Sequence, residues 1–486
     1  MSQIFKQPPV LFATPDGPAT AVVLADVNKD GNADAIVVDG NLNNPIFSID
    51  GAVSVLLGNG NGTFQPAVTY PAILRGTDAV AVGDLNGDGW PDLVVVSNDG
   101  ACLSFYCLGV LLNKGDGTFD AVVGYTTAGF DISSVVISDV NGDGKPDLVF
   151  ADLCDTGCKN GAVEVLLGNG DGTFGSPTLY SLNRDSYPLS VVAVDLNGDG
   201  KSDLVVANCC TSTASGIVTV MLNKGDGTFP TQVTYPTGGN LASSVVAADM
   251  NHDGKLDLVV ANLYSASVGV LLGNGDGTFG KVVVYPAIQD PDSIAIADFN
   301  GDGSPDVVVA SGDDLSGINS NLPGNVTVLL NNGNGTLRAP VTTYSTKGTN
   351  ANSVAVAKLN PDAKPDLVIA DGCDGYKSDC PSGGVAVFLG MPDRTTTVLT
   401  SSANPSNPGQ SVTFTATISA TEGPIPNGTV VQFLSDTKKI GTGTTVNGVA
   451  KFSTSSLTAG THLIKASYPS STFFKASNST LEQMVN

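Results

Sequence analysis

One stretch of about twelve residues recurs seven times along this chain. Its clearest copy reads "DVNGDGKPDLVF", Asp139 to Phe150. Close copies begin at Asp84, Asp195, Asp249 and Asp298, a looser one at Asp26 ("DVNKDGNADAIV"), and a damaged one at Lys358 ("KLNPDAKPDLVI"). The starts lie 49 to 60 residues apart. Self-similarity at such a period means an array of like units, in which each unit buries its apolar face only against its neighbours.

Every unit carries a second signature, as in "VSVLLGNGNGTFQPAVTY" from Val53 and "VGVLLGNGDGTFGKVVVY" from Val268. One unit therefore reads as four short strands. The first is "SVVISDV"-like, the second an almost wholly apolar "DLVVV", the third "VSVLL", and the fourth ends in the Tyr of "TFQPAVTY". Period-two patterning and β-branched residues favour strands, and Gly-Asp-Gly or Gly-Asn-Gly favours turns with positive φ. No segment carries a helical stripe. Units with a second strand apolar on both faces stack face to face around an axis, which predicts an all-β, seven-bladed β-propeller. The last unit stops after its third strand at "VAVFLGMPD", whereas the chain opens with a spare strand. Residues 4–12 are expected to complete the last blade and close the ring over residues 1–391, removing the free sheet edges.

From residue 392 the pattern changes. Residues 392–486 read as about seven alternating strands, from "TTVLTSS" to "TLEQMV", rich in Ser and Thr and without Cys. Such spacing predicts an immunoglobulin-like β-sandwich.

The recurring loop has the chemistry of a cation clip. In D-x-N-x-D-G-x-x-D, side-chain oxygens stand at positions 1, 3, 5 and 9, and position 6 is a Gly where a loop wrapping an ion turns sharply. An all-oxygen set suits calcium. The sets are Asp26, Asn28, Asp30 and Asp34; Asp84, Asn86, Asp88 and Asp92; Asp139, Asn141, Asp143 and Asp147; Asp195, Asn197, Asp199 and Asp203; Asp249, Asn251, Asp253 and Asp257; and Asp298, Asn300, Asp302 and Asp306. An EF-hand is excluded, because position 12 is apolar where that loop has its bidentate Glu, and strands flank the loop. Three carboxylates in one plain turn would repel. Six Ca2+ ions, one in each of blades one to six, would halve the net charge of −24. The seventh loop has Lys358 at position 1 and Ala363 at position 6, and keeps Asn360, Asp362 and Asp366. No calcium is expected there, with the Lys358 ammonium standing in for the ion.

The eight cysteines fall in local pairs, Cys102 with Cys107, Cys154 with Cys158, Cys209 with Cys210, and Cys373 with Cys380. Thiol zinc sites would need further ligands, and His252 and His462 are the only histidines. Local disulfides are expected, hence an oxidising compartment. Adjacent Cys209 and Cys210 pair with each other or elsewhere. The start "MSQIFKQPPV" has no apolar signal core, and no run approaches a membrane span. The acidic balance repels nucleic acid and anionic membranes.

All cysteines sit in loops between second and third strands, on the face opposite the Asp loops. The longest inserts lie there too, such as "DGCDGYKSDCPSGG". Candidate ligand contacts on this face are Phe105, Tyr106, Phe130, Arg184, Tyr187, Tyr264 and Tyr376. The tripeptide "KGD" at Lys114 and Lys224 belongs to the repeated turn and reads as structural. No catalytic constellation is evident.

The Asp loops, the "GTF" turns and the strand order resemble the FG-GAP repeats of integrin α-subunit propellers and related bacterial FG-GAP/VCBS-type repeats. The tail, with "LTSSANPSNPGQSVTFTATIS", looks like bacterial immunoglobulin-like repeats of surface proteins. The resemblance implies a seven-bladed propeller with Ca2+ between the first two strands of a blade, and an extracellular role. It supplies no ligand. The expected function is a calcium-stabilised, secreted or cell-surface bacterial binding or adhesion protein. Its propeller would be the head for a glycan or protein ligand, and its sandwich the stalk. Two alternatives stand beside it: a polysaccharide-active lyase or hydrolase, and a structural matrix component that self-associates through the sandwich.

Overall fold

The computed structural model describes the chain apart from residues 1–3, 15–16, 41–50, 73–76, 98–106, 155–159, 183–185, 210–214, 289, 313–322, 339–341, 363, 374–382, 393, 421–423 and 472. The described chain is all-β, with one short 3-10 turn at Leu263–Ser265. The first unit shows the repeating pattern: Ala19–Ala25, Asp34–Asp39, Ala52–Leu56 and Val68–Pro71 form an antiparallel four-stranded sheet in chain order. Four more sheets repeat this order, ending at Val283–Pro286. The rest of the array is one seven-stranded sheet. In it a single 16-residue strand, Thr342–Ala357, pairs with Pro323–Leu329 through its first half and with Asp366–Cys373 mainly through its second. It is the outer strand of one unit continuing into the inner strand of the next.

Strand type follows burial. The second strand of the first unit, Asp34–Asp39, is buried at every residue, as an apolar run between two packed sheets requires. The inner strand Ala19–Ala25 alternates buried and half-buried positions. Each core lies between sheets: Ile36, Val38, Val53 and Val55 of the first unit pack with Leu93, Val95, Leu111 and Phe119 of the second. Full burial of each such side chain stabilises by roughly 1.5–3 kcal/mol, so a unit cut from its neighbours forfeits most of its core.

The seams between sheets repeat as well. In four seams the Tyr of the outer strand meets the Phe of the next "GTF" turn edge to face, as in Tyr70–Phe119 at 5.5 Å and Tyr180–Phe229 at 5.6 Å. A residue bulged out of the inner strand bonds to the next unit: Ser133 Oγ donates to Pro188 O (2.8 Å) and Ser243 Oγ to Pro291 O (2.7 Å). The same stitches join the last sheet to the first. Asn352 Nδ2 donates to Ala19 O (2.9 Å), Gly62 N–H to Leu359 O (2.7 Å), and Phe12 meets Phe64 at 5.4 Å. Phe12 belongs to the spare N-terminal strand, Val10–Thr14, which pairs with Gly383–Phe388. Phe5 adds a bridge to Gly390 and sits fully buried among Phe299, Tyr344 and Phe388.

The C-terminal region has seven strands in two sheets. Thr395–Ser401, Val412–Ala420 and Val449–Thr454 form one; Val430–Ser435, Lys438–Thr444, Gly460–Tyr468 and Ser477–Val485 form the other. Phe414, Phe433, Ile464 and Phe474 fill the space between them.

Candidate functional site

Each Asp loop joins an inner strand to a second strand and is wound by its own backbone. Asp139 Oδ1 accepts from Gly142 N–H (2.7 Å) and Asp143 N–H (3.2 Å), and its Oδ2 accepts from Gly144 N–H (2.8 Å). Asn141 Oδ1 accepts from Asp143 N–H (2.8 Å), and Asp143 Oδ1 from Lys145 N–H (2.9 Å). The loops at Asp26, Asp195, Asp249 and Asp298 show the same bonds from positions 5 to 7 back to positions 1, 3 and 5. In the loop at Asp84 the first carboxylate takes its bonds from Gly87 and Gly89, and the bonds to Asn86 and Asp88 are unchanged. Gly144, at position 6, has φ +81°, a conformation that side chains rarely adopt. Position 4 needs positive φ too, and Lys29 (55°) and His252 (62°) accept it without being Gly.

Position 9 works differently. Asp147 is fully buried at the head of its strand. Its Oδ2 accepts from Val140 N–H (2.9 Å) at the loop entrance, and its Oδ1 from Gly168 N–H (2.8 Å) in the turn after the third strand. Asp34, Asp92, Asp203, Asp257 and Asp306 make the same pair of bonds. So does Asp366 of the damaged loop, with Leu359 and Gly390. Burial raises all seven carboxyls above the usual range, and the loop's other carboxylates push the same way. The two backbone N–H groups oppose the shift. Asp34 and Asp366 reach about 6, and Asp306 about 8.

The donor set fits a hard cation: oxygens alone, with up to three carboxylates crowded on one turn. Among the described residues, no three or more Asp, Glu, His or Cys side chains are gathered closely enough to hold a metal ion as they stand. The carboxylates face their own N–H groups instead. In the seventh loop Lys358 is exposed, and the buried cation is Lys364. Its Nζ donates to Met391 O (2.7 Å) and lies 4.9 Å from the Phe473 ring centroid.

The "GDG" turns share this face. Asp116, Asp171, Asp226 and Asp276 accept from the hydroxyl and N–H of the Thr two residues on, which holds their carboxyls below the usual range. Pattern reading passes over Asn113, Asn223 and Asn331, which open three of these turns. Their Nδ2 groups donate to Val27 O (2.9 Å), Val140 O (2.8 Å) and Met250 O (2.7 Å) in the loop of the preceding unit. The signal is present in the chain, since other units have Gly where these have Asn.

The sandwich rests on this same face. A Cβ on Gly301 of the sixth loop would stand 2.4 Å from Phe473 Cγ. Asn300 and Ser304 are buried there, whereas Asn141 is half-buried and Lys145 exposed in the third loop. A cleft of about 730 Å3 separates Asp298, Asp302 and Gly303 from Ile418, Pro424 and Asn447 of the sandwich.

Much of the opposite face lies outside the described residues, including Phe105, Tyr106, Arg184 and Tyr376, the cysteines Cys102, Cys158, Cys210 and Cys380, and the side chains of Phe130, Cys154, Cys209 and Cys373. Cys107 is buried and disulfide-bonded. Tyr264 stands 57% exposed on the 3-10 turn, open to a partner. Tyr187 is half-buried and packs against Leu241 and Leu263, which is a packing role.

A family model of FG-GAP-like repeats matches residues 39–95, 84–150, 139–206, 195–260, 249–309 and 313–369. A second, for the bacterial Ig-like domain (group 3), matches residues 399–486. A T-cell immunomodulatory protein homolog of Plasmodium yoelii yoelii is 30% identical over 146 residues, 27% of this chain and 20% of that protein. Mouse integrin alpha-7 is 30% identical over 150 residues, 28% of this chain and 12% of its own length. This chain thus spans a minor part of both relatives. A solved Bacteroides uniformis structure, named provisionally as a 6-phosphogluconolactonase, overlays at TM-score 0.45 with 16% identity, covering 67% of this chain and 88% of that one. An overlay that loose carries no weight. The repeated loops, the four-stranded sheets and the family matches agree: the chain belongs to the FG-GAP-like repeat family, its repeats followed by a bacterial Ig-like domain.

Proposed function

We propose that this protein is an extracellular, calcium-stabilised recognition protein without catalytic activity. Its repeats form a closed seven-bladed propeller that presents a glycan or protein ligand site, and its Ig-like domain connects that head to a surface or matrix. The observation that carries this reading is the register of the six complete Asp loops. Each joins the first and second strands of its unit, whereas the variable, Cys-bearing stretches of sequence fall between the second and third strands. Stability chemistry and ligand-facing loops are thereby separated, which is how rigid scaffolds commonly carry binding sites. The seam bonds between first and last sheets support ring closure.

Calcium would be held by positions 1, 3, 5 and 9 of the six loops, from Asp26 to Asp306. Bound there, it offsets the mutual repulsion of the carboxylates and ties the loop's two ends together. Asp139, Asn141 and Asp143 already point their oxygens inward onto the turn. Similarity to part of an integrin α-chain supports an adhesive role. No helix among the described residues is long and apolar enough to cross a membrane.

The test is a binding panel. The full chain, in calcium, is incubated with polysaccharides and matrix proteins, and retention and released sugar ends are scored together. Retention without release is the expected result. Released reducing or unsaturated ends would overturn the reading in favour of a polysaccharide-active enzyme.

A further inference from the structure

Five residues after position 9, towards the end of the second strand away from the Asp loop, each unit has a polar residue, from Asp39 to Asp371. In three units that residue finds a partner on the third strand, always two residues beyond its cross-strand neighbour. Asp39 lies opposite Ala52, and Ser54 Oγ donates to its Oδ2 (2.8 Å). Asn208 lies opposite Ile217, and its Nδ2 donates to Thr219 Oγ1 (2.9 Å). Asp152 lies opposite Ala162 and shares a hydrogen bond with Glu164. The fifth and last units lack that partner: Asn262 lies opposite Ser267 with Gly269 two further on, and Asp371 lies opposite Gly384 with Ala386 two further on. Thr346 Oγ1 donates to Asp371 Oδ1 (2.8 Å), while Oδ2 has no hydrogen-bond partner among the described residues.

Space has opened where the partner is missing. Asp371 lines a cavity of about 160 Å3 together with Leu11, Phe12, Ala13, Gly348, Gly384 and Val385. The residue itself is 2% exposed. The walls are aliphatic, aromatic or bare backbone, and Leu11 at 44% exposure marks the way in. A carboxylate in such surroundings is costly unless paired. We propose that this pocket binds a primary ammonium group on a short aliphatic stem, the ammonium on Asp371 Oδ2 and the stem along Ala13 and Leu11, which share its face of the sheet. The chemistry is shared by a free alkylamine and by a lysine side chain presented by a partner protein.

Burial pushes the Asp371 carboxyl up to about 8, and the Thr346 hydroxyl opposes that shift. No charged group from the strands packed against it contributes. Lys347, between Thr346 and Gly348, is exposed. At neutral pH the empty pocket therefore holds the neutral acid. Entry of an ammonium ion releases that proton to solvent and leaves the ion pair. The site needs no bound calcium.

The experiment is calorimetry on the full chain with n-butylammonium chloride, with butan-1-ol and potassium chloride as controls. Binding is expected near pH 9, with about half a proton released per site near pH 8 and close to one a pH unit or more below that. It should weaken on the order of a hundredfold between pH 9 and pH 6. Asp371→Asn should abolish it. Ala386→Ser restores the partner that Ser54 supplies to Asp39, so it should keep the fold and weaken binding roughly tenfold. A lysine-containing peptide added in competition separates the sources: displacement assigns a partner's side chain, and no displacement assigns a free amine. Equal binding of butan-1-ol, unchanged affinity in both variants, or no amine binding to the folded chain would overturn the proposal. Those outcomes are independent of whether calcium or any glycan binds.

Discussion

The six complete Asp loops and the seventh differ at positions 1, 4 and 6, yet all seven share the brace at position 9. Asp147 and Asp366 each brace the loop entrance against the turn after the third strand with two backbone N–H bonds. That brace survives where position 1 is Lys358 and position 6 is Ala363. The motif is therefore two devices written over one another. Position 9 braces the scaffold in all seven loops, and the full oxygen set at positions 1, 3, 5 and 9, which six of them keep, is what we propose serves an ion. In the last unit the loop has a different use, because Lys364 ties Met391 and Phe473, and so the sandwich, to the array.

The largest effect that separates the two devices is removal of calcium. A ligand at a hundredfold excess over Kd adds about 2.7 kcal/mol per site, so chelation should lower the melting temperature by roughly 10 °C or more. Unchanged melting in a chelator would remove calcium from the account and leave the loops as turns. Next comes the brace. Asp147→Ala and Asp366→Ala each orphan two buried N–H groups, which costs about 2–5 kcal/mol in either loop. Urea titrations of the two variants in a chelator should agree; a harmless Asp366→Ala would break the equivalence of the seven scaffolds.

A gain of function tests the contrast from the other side. Lys358→Asp combined with Pro361→Gly and Ala363→Gly rebuilds the seventh motif, and ion counting by mass spectrometry under native conditions should then find one more calcium than in the parent chain. An unchanged count would mean that the loop's surroundings, not its motif, decide occupancy. The pH response is smaller. Asp371 and Asp292 are raised by burial to about 8 and about 7. A group raised on folding contributes stability that is fully present below its unfolded value near 4 and is lost as pH rises through the folded value. Stability should thus decline from about pH 4 towards 8 on account of these two groups, and Asp371→Asn with Asp292→Asn should flatten that slope in calcium-saturated melts. The smallest effect is Phe473→Ala, expected to leave melting of the array unchanged and to widen the distribution of interdomain distances in small-angle scattering. An unaltered distribution would show that Phe473 is not the anchor.

Strand order, unit spacing and the sandwich are all legible in the chain itself, because alternation and Asp/Gly turns are local and repeat. The N-terminal closing strand is legible as well, since a missing strand at one end matches a spare one at the other. It pairs through Val10–Thr14, with Phe5 adding a bridge, rather than evenly from residue 4. Position 9 reads from the chain only as a ligand, because its second partner, Gly168 for Asp147, is brought near by the turn of another strand. Lys358 draws the eye before Lys364 for the same kind of reason: which lysine is buried depends on where the sandwich docks.

Everything written with a period could be had from the order of residues alone: the four-strand unit, its oxygen-donor loop and its turn chemistry. These depend on neighbours in the chain, so one copy teaches the next. Whatever breaks the period was settled by packing in three dimensions. The empty place beside Asp371, the sandwich seated on Gly301, and the bonds that carry the last sheet onto the first all join residues far apart in sequence. Each depends on how side chains fill, or leave, a space that no local pattern encodes.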